Sequence, residues 1–259
     1  MELLTQDSLL LLLAAFAAGL VDSIIGGGGL IQLPAMLFYL PNAEIATVLG
    51  TNKFASFSGT SVSAIGYTTK TEIKWTAVWP AILFALPSSF AGAFLISHLE
   101  KSTVKPIMLF LFLAVGLYTF FRKDFGLSQV AVQLSKKKEV VFSSITGIII
   151  GFYDGFFGPG TGSFLVFLYV SFFGFNFLQS SACAKIVNVV TNLSALLYFY
   201  IDDKIIFSIA IPVAFANIVG SYLGTRLALK KGAGFVRVVF LFVVSAFILK
   251  MAFDIFYFN

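Results

Sequence analysis

Two glycine-rich stretches that each carry an aspartate decide the fold of this chain. The first reads GLVDSIIGGGG at residues 19–29, and the second reads GFYDGFFGPGTG at residues 151–162. Both lie within long apolar runs, where a carboxylate and an interrupted backbone are costly unless protein groups satisfy them. Asp22 and Asp154 therefore mark a candidate functional site. The glycines that we expect to break the helices are Gly26, Gly27, Gly28, Gly29, Gly158, Gly160 and Gly162.

The composition indicates an all-α polytopic membrane protein. Of 259 residues, 59% are hydrophobic and only 11% are charged, compared with about 25% charged residues in soluble domains. The mean hydropathy is +0.97, and a soluble fold of this size cannot bury so much apolar surface. The apolar runs are near-continuous, unlike the alternating segments of about 10 residues in a membrane β-barrel.

The apolar segments predict about eight full spans and two short, glycine-broken helices. Segments 30–41 and 163–174 are too short for an upright span, which takes about 20 residues. We expect them to be half-helices or re-entrant arms that follow the glycines. The full spans are predicted near residues 8–25, 45–67, 75–98, 106–121, 140–157, 177–200, 205–229 and 235–256.

A constant offset of 132 residues relates the two halves of the chain. We therefore predict a first transmembrane repeat at residues 1–121, a basic linker at 122–139 and a second transmembrane repeat at 140–259. Internal repeats are typical of secondary transporters, whose sites lie between the repeats. The matched residues include Asp22 and Asp154, Lys53 and Lys185, Ser56 and Asn188, Thr60 and Asn192, Pro80 and Pro212, and Gly92 and Gly224.

The topology depends on whether the glycine-broken segments cross the membrane. If each enters and returns, each repeat crosses an odd number of times and the repeats are inverted, which is the arrangement we expect. If each crosses once, the repeats are parallel. The inverted arrangement places the linker in the cytoplasm and both termini outside, because it gathers most basic residues on one side. That side holds Lys70, Lys74, Lys230, Lys231 and Arg237, and the other holds Lys101, Lys105, Lys204 and Lys250.

Two lysines near the centres of their spans are the sharpest signal for function. A central lysine costs about 2.5–3.5 kcal/mol on insertion scales. Each begins a polar stripe at steps of three and four residues, which places the stripe on one helix face. One interpretation is an anion site, and the other is a pair of structural salt bridges with Asp22 and Asp154. The predicted substrate-binding residues are Lys53, Lys185, Asn52, Ser56, Asn188 and Asn192.

The aspartates have a predicted gating or proton-coupling role. Asp22 and Asp154 could hold the lysines, take up protons, or do both. Each could pair with the lysine of its own repeat or of the other repeat. We expect no cofactor and no metal, since His98 is the sole histidine. The expected partners are a small anion and the lipid bilayer, with a homo-oligomer as an open alternative and no nucleic acid.

The same residues resemble signatures of the TauE/SafE family, and in the second half those of its YfcA-like subgroup. The matching stretches are residues 19–34 (GLVDSIIGGGGLIQLP), 51–53 (TNK), 151–163 (GFYDGFFGPGTGS) and 184–188 (AKIVN). The resemblance extends over nearly the whole chain. It implies a permease of the prokaryotic cytoplasmic membrane with about eight spans, acting on sulfur-containing or organic anions.

We therefore expect a secondary transporter, not an enzyme, that exports a small anion such as sulfite, a sulfonate or another organic anion. A passive anion channel would use the same buried lysines and is the first alternative. An intramembrane aspartyl protease would use Asp22 and Asp154 as a proton-sharing pair. The protease is disfavoured because each aspartate comes with a matched lysine and the sequence elements of such proteases are missing.

Overall fold

The computed structural model describes residues 6–99 and 135–257. Within these residues the regular structure consists of eight helices and no strands. The predicted span at 106–121 and linker residues 122–134 lie outside the described residues. The helices are α1 (Gln6–Ile25), α2 (Gly29–Tyr39), α3 (Ile45–Thr68), α4 (Trp75–Ser97), α5 (Lys136–Phe156), α6 (Thr161–Phe173), α7 (Phe177–Ile201) and α8 (Phe207–Tyr257), the last of which is interrupted at Gly232.

Five of the described helices are long and apolar enough to span a membrane. They are α1, α4, α5, α7 and the part of α8 that ends at Val236. Helix α3 has 24 residues, a length of about 36 Å at 1.5 Å per residue, but its polar stripe makes it less apolar than the other five. Helices α2 and α6 are short, with 11 and 13 residues. The all-helical membrane fold is confirmed, and the count of about eight full spans stays a prediction.

Two ion pairs mark opposite ends of the helix bundle. Glu44, which precedes α3, lies 2.6 Å from Lys204 in the α7–α8 loop, and this hydrogen bond raises the pKa of Lys204. Lys74 follows the other end of α3 and lies 2.7 Å from Glu139 in the first turn of α5. We call these the Glu44 end and the Lys74 end. Helix α5 begins at Lys136, within the predicted linker, and the Ser135 hydroxyl caps its first turn.

Small residues allow the helices to pack backbone against backbone. Gly147, Gly151 and Gly155 place one face of α5 against Ala85 and Ser89 of α4, as well as a neighbouring alanine one turn earlier. A Cβ on Gly151 would come within 2.7 Å of the Ala85 Cα, and one on Gly155 would overlap the Ser89 carbonyl oxygen. Such close approach is the usual basis of helix association in lipid.

Helices α1 and α8 form a second interface of the same kind. Gly220 and Gly224 of α8 lie against the carbonyl oxygens of Phe16 and Leu20, and Gly19 of α1 lies against Asn217. Both α4–α5 and α1–α8 present large apolar side chains outward. These exposed side chains include Leu83, Phe94, Ile149, Phe152, Phe215 and Leu223, as expected for lipid-facing surfaces.

A polar layer separates two apolar clusters of the interior. The cluster at the Lys74 end contains Tyr67 and Phe175, and the cluster at the Glu44 end contains Leu49 and Phe199. Helix α3 passes through both clusters, and between Leu49 and Tyr67 it carries its polar stripe. The fold thus places the stripe that begins at Lys53 in the middle of the bundle.

The glycine interface of α4 and α5 gives a first prediction. We expect Gly155→Ala to lower the melting temperature of the detergent-solubilised protein, because the new methyl group meets the Ser89 backbone. Gly234→Ala is the matched control, since no atom lies within 4 Å of a Cβ at this helical position of α8, and alanine gains up to about 1 kcal/mol over glycine in a helix. Equal melting temperatures for the two variants would contradict the close packing.

Candidate functional site

The two broken helices meet tip to tip in the interior of the bundle. Helix α1 ends at Ile25, and α5 ends at Phe156. Gly26 has a φ of +80°, in the left-handed region that glycine tolerates, and a Cβ on it would overlap Gly162. The Ser163 N–H donates to the Gly26 carbonyl oxygen at 3.2 Å. The turns at the two glycine-rich stretches therefore pack against each other and are joined by a backbone hydrogen bond.

Each lysine pairs with the aspartate from the other half of the chain. Lys53 Nζ lies 2.8 Å from Asp154 Oδ2, and Lys185 Nζ lies 2.6 Å from Asp22 Oδ2. Both ammonium groups are almost fully buried, with side chains 3% and 1% exposed. In such surroundings a charge is tolerated only with a close partner. The structure thus brings together all four charged residues that the sequence singled out, in the crossed combination.

The Lys185–Asp22 pair is bonded to the end of α1. Lys185 Nζ donates to the Asp22 carboxylate and also to the Asp22 backbone carbonyl oxygen. Thr60 Oγ1 donates to the same carboxylate at 3.2 Å. A cation at a helix C-terminus is favoured because the helix dipole is negative there. Lys185 therefore neutralises both a side chain and a helix end.

The Lys53–Asp154 pair has a looser geometry. Lys53 Nζ donates to Asn192 Oδ1 at 3.1 Å, whereas Asp154 Oδ2 accepts no well-oriented hydrogen bond from the described residues. Asn192 in turn donates to the carbonyl oxygen and the side-chain oxygen of Asn188, at 2.8 and 3.2 Å. Gly158 lies beside the pair, and a Cβ there would come within 3.0 Å of Lys53 Nζ. Lys53 and Asp154 thus form a close ion pair to which Asn192 contributes on the lysine side.

A small polar cavity lies against this second pair. Its volume is about 20 Å³, room for about one water molecule. Asn52 is buried, and its side-chain oxygen has no hydrogen-bond partner among the described residues. Lys185 is not part of the lining. The lining residues are Asp22, Gly26, Gly29, Asn52, Lys53, Ser56, Thr60, Asp154, Gly158, Gly160, Gly162, Asn188 and Asn192.

The cavity therefore gathers most of the predicted site residues. Of the predicted substrate-binding residues, all but Lys185 line it, and both aspartates line it as well. Five of the seven expected helix-breaking glycines line the cavity, and Gly27 and Gly28 do not. Among the described residues, no three His, Cys, Asp or Glu side chains converge as a metal site.

Several polar contacts of the interior were not predicted from the sequence. The Tyr67 hydroxyl donates to the Ser23 carbonyl oxygen at 3.0 Å, and Ser163 Oγ donates to the Ile25 carbonyl oxygen at 3.0 Å. Asn217 Nδ2 donates to Gln32 Oε1 at 2.6 Å, although Gln32 lies in a short apolar helix. A buried hydrogen bond from Gln32 could have been predicted from the sequence, because an amide in the apolar segment 30–41 needs a partner.

The crossed pairing gives a second prediction. We expect Lys53→Met to destabilise the protein by about 3–5 kcal/mol, because it leaves the Asp154 carboxylate buried without a counter-charge. Adding Asp154→Asn removes that charge and should restore most of the melting temperature. Asp22→Asn is the matched control in the Lys53→Met background, and it should give no rescue. Rescue by Asp22→Asn in place of Asp154→Asn would show that the pairs are not crossed.

Comparisons with known proteins place these features in a family. The family model described as sulfite exporter TauE/SafE matches residues 11–251. A probable membrane transporter protein of Haemophilus influenzae is 32% identical, with 95% of this chain and 94% of the relative covered. The probable membrane transporter protein YfcA of Escherichia coli K12 is 30% identical over 94% of this chain and 89% of its own length. No solved structure matches the chain. The chain is a multi-pass membrane protein, and it belongs to the TauE/SafE family of membrane transporters.

Proposed function

We propose that this protein is a secondary transporter that exports a small anion, such as sulfite, a sulfonate or another organic anion, across a prokaryotic cytoplasmic membrane. Membership of the TauE/SafE family supports transport. The observation that supports an anion is a buried ammonium group, that of Lys53, which lines a polar cavity at the centre of the bundle together with several side-chain amides. A buried ammonium attracts an anion, and the NH2 group of an amide can donate hydrogen bonds that orient one.

The predicted roles of the other residues fit this arrangement. Lys53 and Lys185 supply positive charge, and Asn52, Ser56, Asn188 and Asn192 supply polar contacts. Asp154 and Asp22 pair with the lysines in the absence of an anion, and at least one of them releases its lysine by moving or by taking up a proton. The cavity of about 20 Å³ has no room for an ion with several heavy atoms. Binding therefore requires the site to open, which favours a carrier over a continuously open channel.

We further propose that the two halves are inverted repeats. The offset of 132 residues converts the Lys53–Asp154 pair into the Lys185–Asp22 pair. It also converts the contact of Gly151 with Ala85 into that of Gly19 with Asn217. The α2–α3 loop lies at the Glu44 end, and the corresponding α6–α7 loop lies at the Lys74 end, where Lys74 Nζ is 5.8 Å from the Phe175 ring centre. Corresponding loops at opposite ends are the signature of inversion.

The distribution of charge supports a cytoplasmic location for the Lys74 end. That end carries Lys70, Lys74 and the lysines of the first turn of α5. The Glu44 end carries Lys204 together with Glu44 and two aspartates of the α7–α8 loop. Basic residues are enriched in cytoplasmic loops. In this orientation the linker at 122–139 is cytoplasmic and the Glu44 end faces outward.

Labelling of single cysteines tests this orientation. Cys183 is buried, so it should contribute little background in intact cells. We expect Asn42→Cys, in the exposed loop at the Glu44 end, to react with a membrane-impermeant maleimide. Thr69→Cys, in the exposed loop at the Lys74 end, should react only after the membrane is permeabilised. The reverse pattern would invert the topology.

Flux measurements in proteoliposomes test the proposed function. We expect one or more of labelled sulfite, methanesulfonate and acetate to be transported, and Lys53→Ala to reduce that flux at least tenfold because the anion loses its counter-charge. Lys185→Ala should also reduce it. Lys70→Ala is the matched control, since Lys70 lies in an exposed turn and should leave the flux unchanged. An unchanged flux in Lys53→Ala would remove this lysine from the mechanism.

The same vesicles distinguish a carrier from a passive channel. A carrier in which an aspartate takes up a proton should respond to an imposed pH gradient at constant anion gradient. Flux that follows only the electrochemical gradient of the anion would favour the channel. Absence of flux for every anion in the panel would contradict the proposed substrate class.

A further inference from the structure

The two lysines differ in what they contact, although the offset of 132 residues relates them. Lys53 lines the cavity, and Lys185 does not. Lys53 has a buried amide as its chain neighbour, Asn52, which lines the same cavity. At the corresponding position before Lys185 stands Ala184, which offers no polar group. The surroundings of Lys53 can receive a ligand, and those of Lys185 are closed.

The end of α1 depends on groups from other helices. Its last carbonyl oxygens have no partners within the helix, and in a membrane interior no bulk water replaces them. The carbonyl oxygens of Ser23 and Ile25 accept from Tyr67 and Ser163. The Asp22 carbonyl oxygen accepts from the N–H of Gly26 in its own chain, at 2.6 Å, and in addition from Lys185. Lys185 is therefore one of a set of side chains that close an interrupted helix from outside.

The end of α5 is closed by its own chain. The Tyr153 carbonyl oxygen accepts from the N–H groups of Phe157 and Gly158, at 2.8 and 3.2 Å. The Tyr153 hydroxyl donates to the Pro159 carbonyl oxygen at 2.6 Å. Thr161 Oγ1 donates to the Gly158 carbonyl oxygen at 2.6 Å. No described contact joins Lys53 to a backbone carbonyl of this helix end, so Lys53 can leave Asp154 without opening it.

We propose that the two ion pairs have different functions, a division that rests on the proposed transport of an anion. Lys53–Asp154 is the exchangeable pair, in which an anionic oxygen replaces the Asp154 carboxylate at Lys53 while the Asn52 NH2 group and the Ser56 hydroxyl donate to the anion. Lys185–Asp22 is a permanent brace that fixes the end of α1 against α7. Lys53 is then the anion-binding residue, and Lys185 is a positioning residue that does not touch the anion.

Two charge-neutral double variants separate these roles. Lys53→Met/Asp154→Asn removes the exchangeable pair, and Lys185→Met/Asp22→Asn removes the brace, without leaving an unpaired charge in either case. The melting temperature of each purified protein is measured alone and with sulfite, thiosulfate, methanesulfonate or acetate, because a ligand that binds the folded state raises it. Transport of the anion that gives a response is then measured to separate KM from the maximal rate.

We expect the wild-type melting temperature to rise with at least one of these anions. Lys53→Met/Asp154→Asn should lose that rise, and its KM should increase at least tenfold. Lys185→Met/Asp22→Asn should keep the rise, with an apparent affinity within about threefold, while its maximal rate falls. Without anion, its melting temperature should lie about 4–8 °C below that of the other double variant, the size expected for a loss of about 2 kcal/mol.

The outcomes that overturn the proposal differ from those that overturn the transport function. If the wild type responds and Lys53→Met/Asp154→Asn keeps the response, or if Lys185→Met/Asp22→Asn folds and loses it, the division of roles is wrong. If the two double variants melt at the same temperature without anion, Lys185 is not a brace. If the Lys185→Met/Asp22→Asn protein fails to fold, the structural role of Lys185 is supported. Whether Lys53 binds the anion is then decided by the Lys53→Met/Asp154→Asn protein alone, which should lose the rise in melting temperature. If no anion raises the melting temperature of the wild-type protein, the proposed anion site itself is contradicted.

Discussion

The interior of this bundle depends on the crossed contact between two lysines and two aspartates. Lys53 meets Asp154, and Lys185 meets Asp22, at 2.8 and 2.6 Å. Removal of either partner would leave a buried charge that the apolar surroundings cannot solvate. Because each pair joins a residue from the first half of the chain to one from the second, neither half can satisfy its own charges. The pairs therefore bind the halves together, and three of their four residues, all but Lys185, also line the cavity.

The interrupted helices add a second constraint that acts in the same place. A helix that stops inside a membrane protein exposes carbonyl groups for which lipid offers no partner. In α1 these carbonyl groups accept hydrogen bonds from Tyr67, Ser163 and Lys185. Lys185 therefore serves both in an ion pair and as a hydrogen-bond donor to the helix end. The close approach of Gly26 to Gly162 leaves no room for larger side chains at the tips. The glycine–aspartate stretches must therefore pair buried charges, satisfy the carbonyl groups of the helix ends and allow the two segments to approach closely.

The sequence predicted the helical membrane fold, the two short helices and the residues of the polar layer. It did so because buried charges and glycine runs are rare in membrane helices and stand out against apolar residues. It left the pairing open, since spacing along the chain places Lys53 on a helix face but does not say which aspartate faces it. The contact of Tyr67 with the end of α1 was also beyond prediction. A tyrosine near the end of a span is common in membrane proteins, so the sequence does not distinguish it. Only the three-dimensional arrangement shows that its hydroxyl donates to a carbonyl oxygen of another helix.

If the protein transports an anion as proposed, the net charge of the polar layer limits how the anion can bind there. Two lysines and two aspartates sum to zero, so an added anion gives the buried site an excess negative charge. The excess is removed if Asp154 withdraws toward solvent or takes up a proton as the anion reaches Lys53. Either event breaks the contact that holds α3 against α5, and the cavity of about 20 Å³ must widen for the anion to fit. Charge balance and opening of the site are then the same step, which is what coupling in a carrier requires.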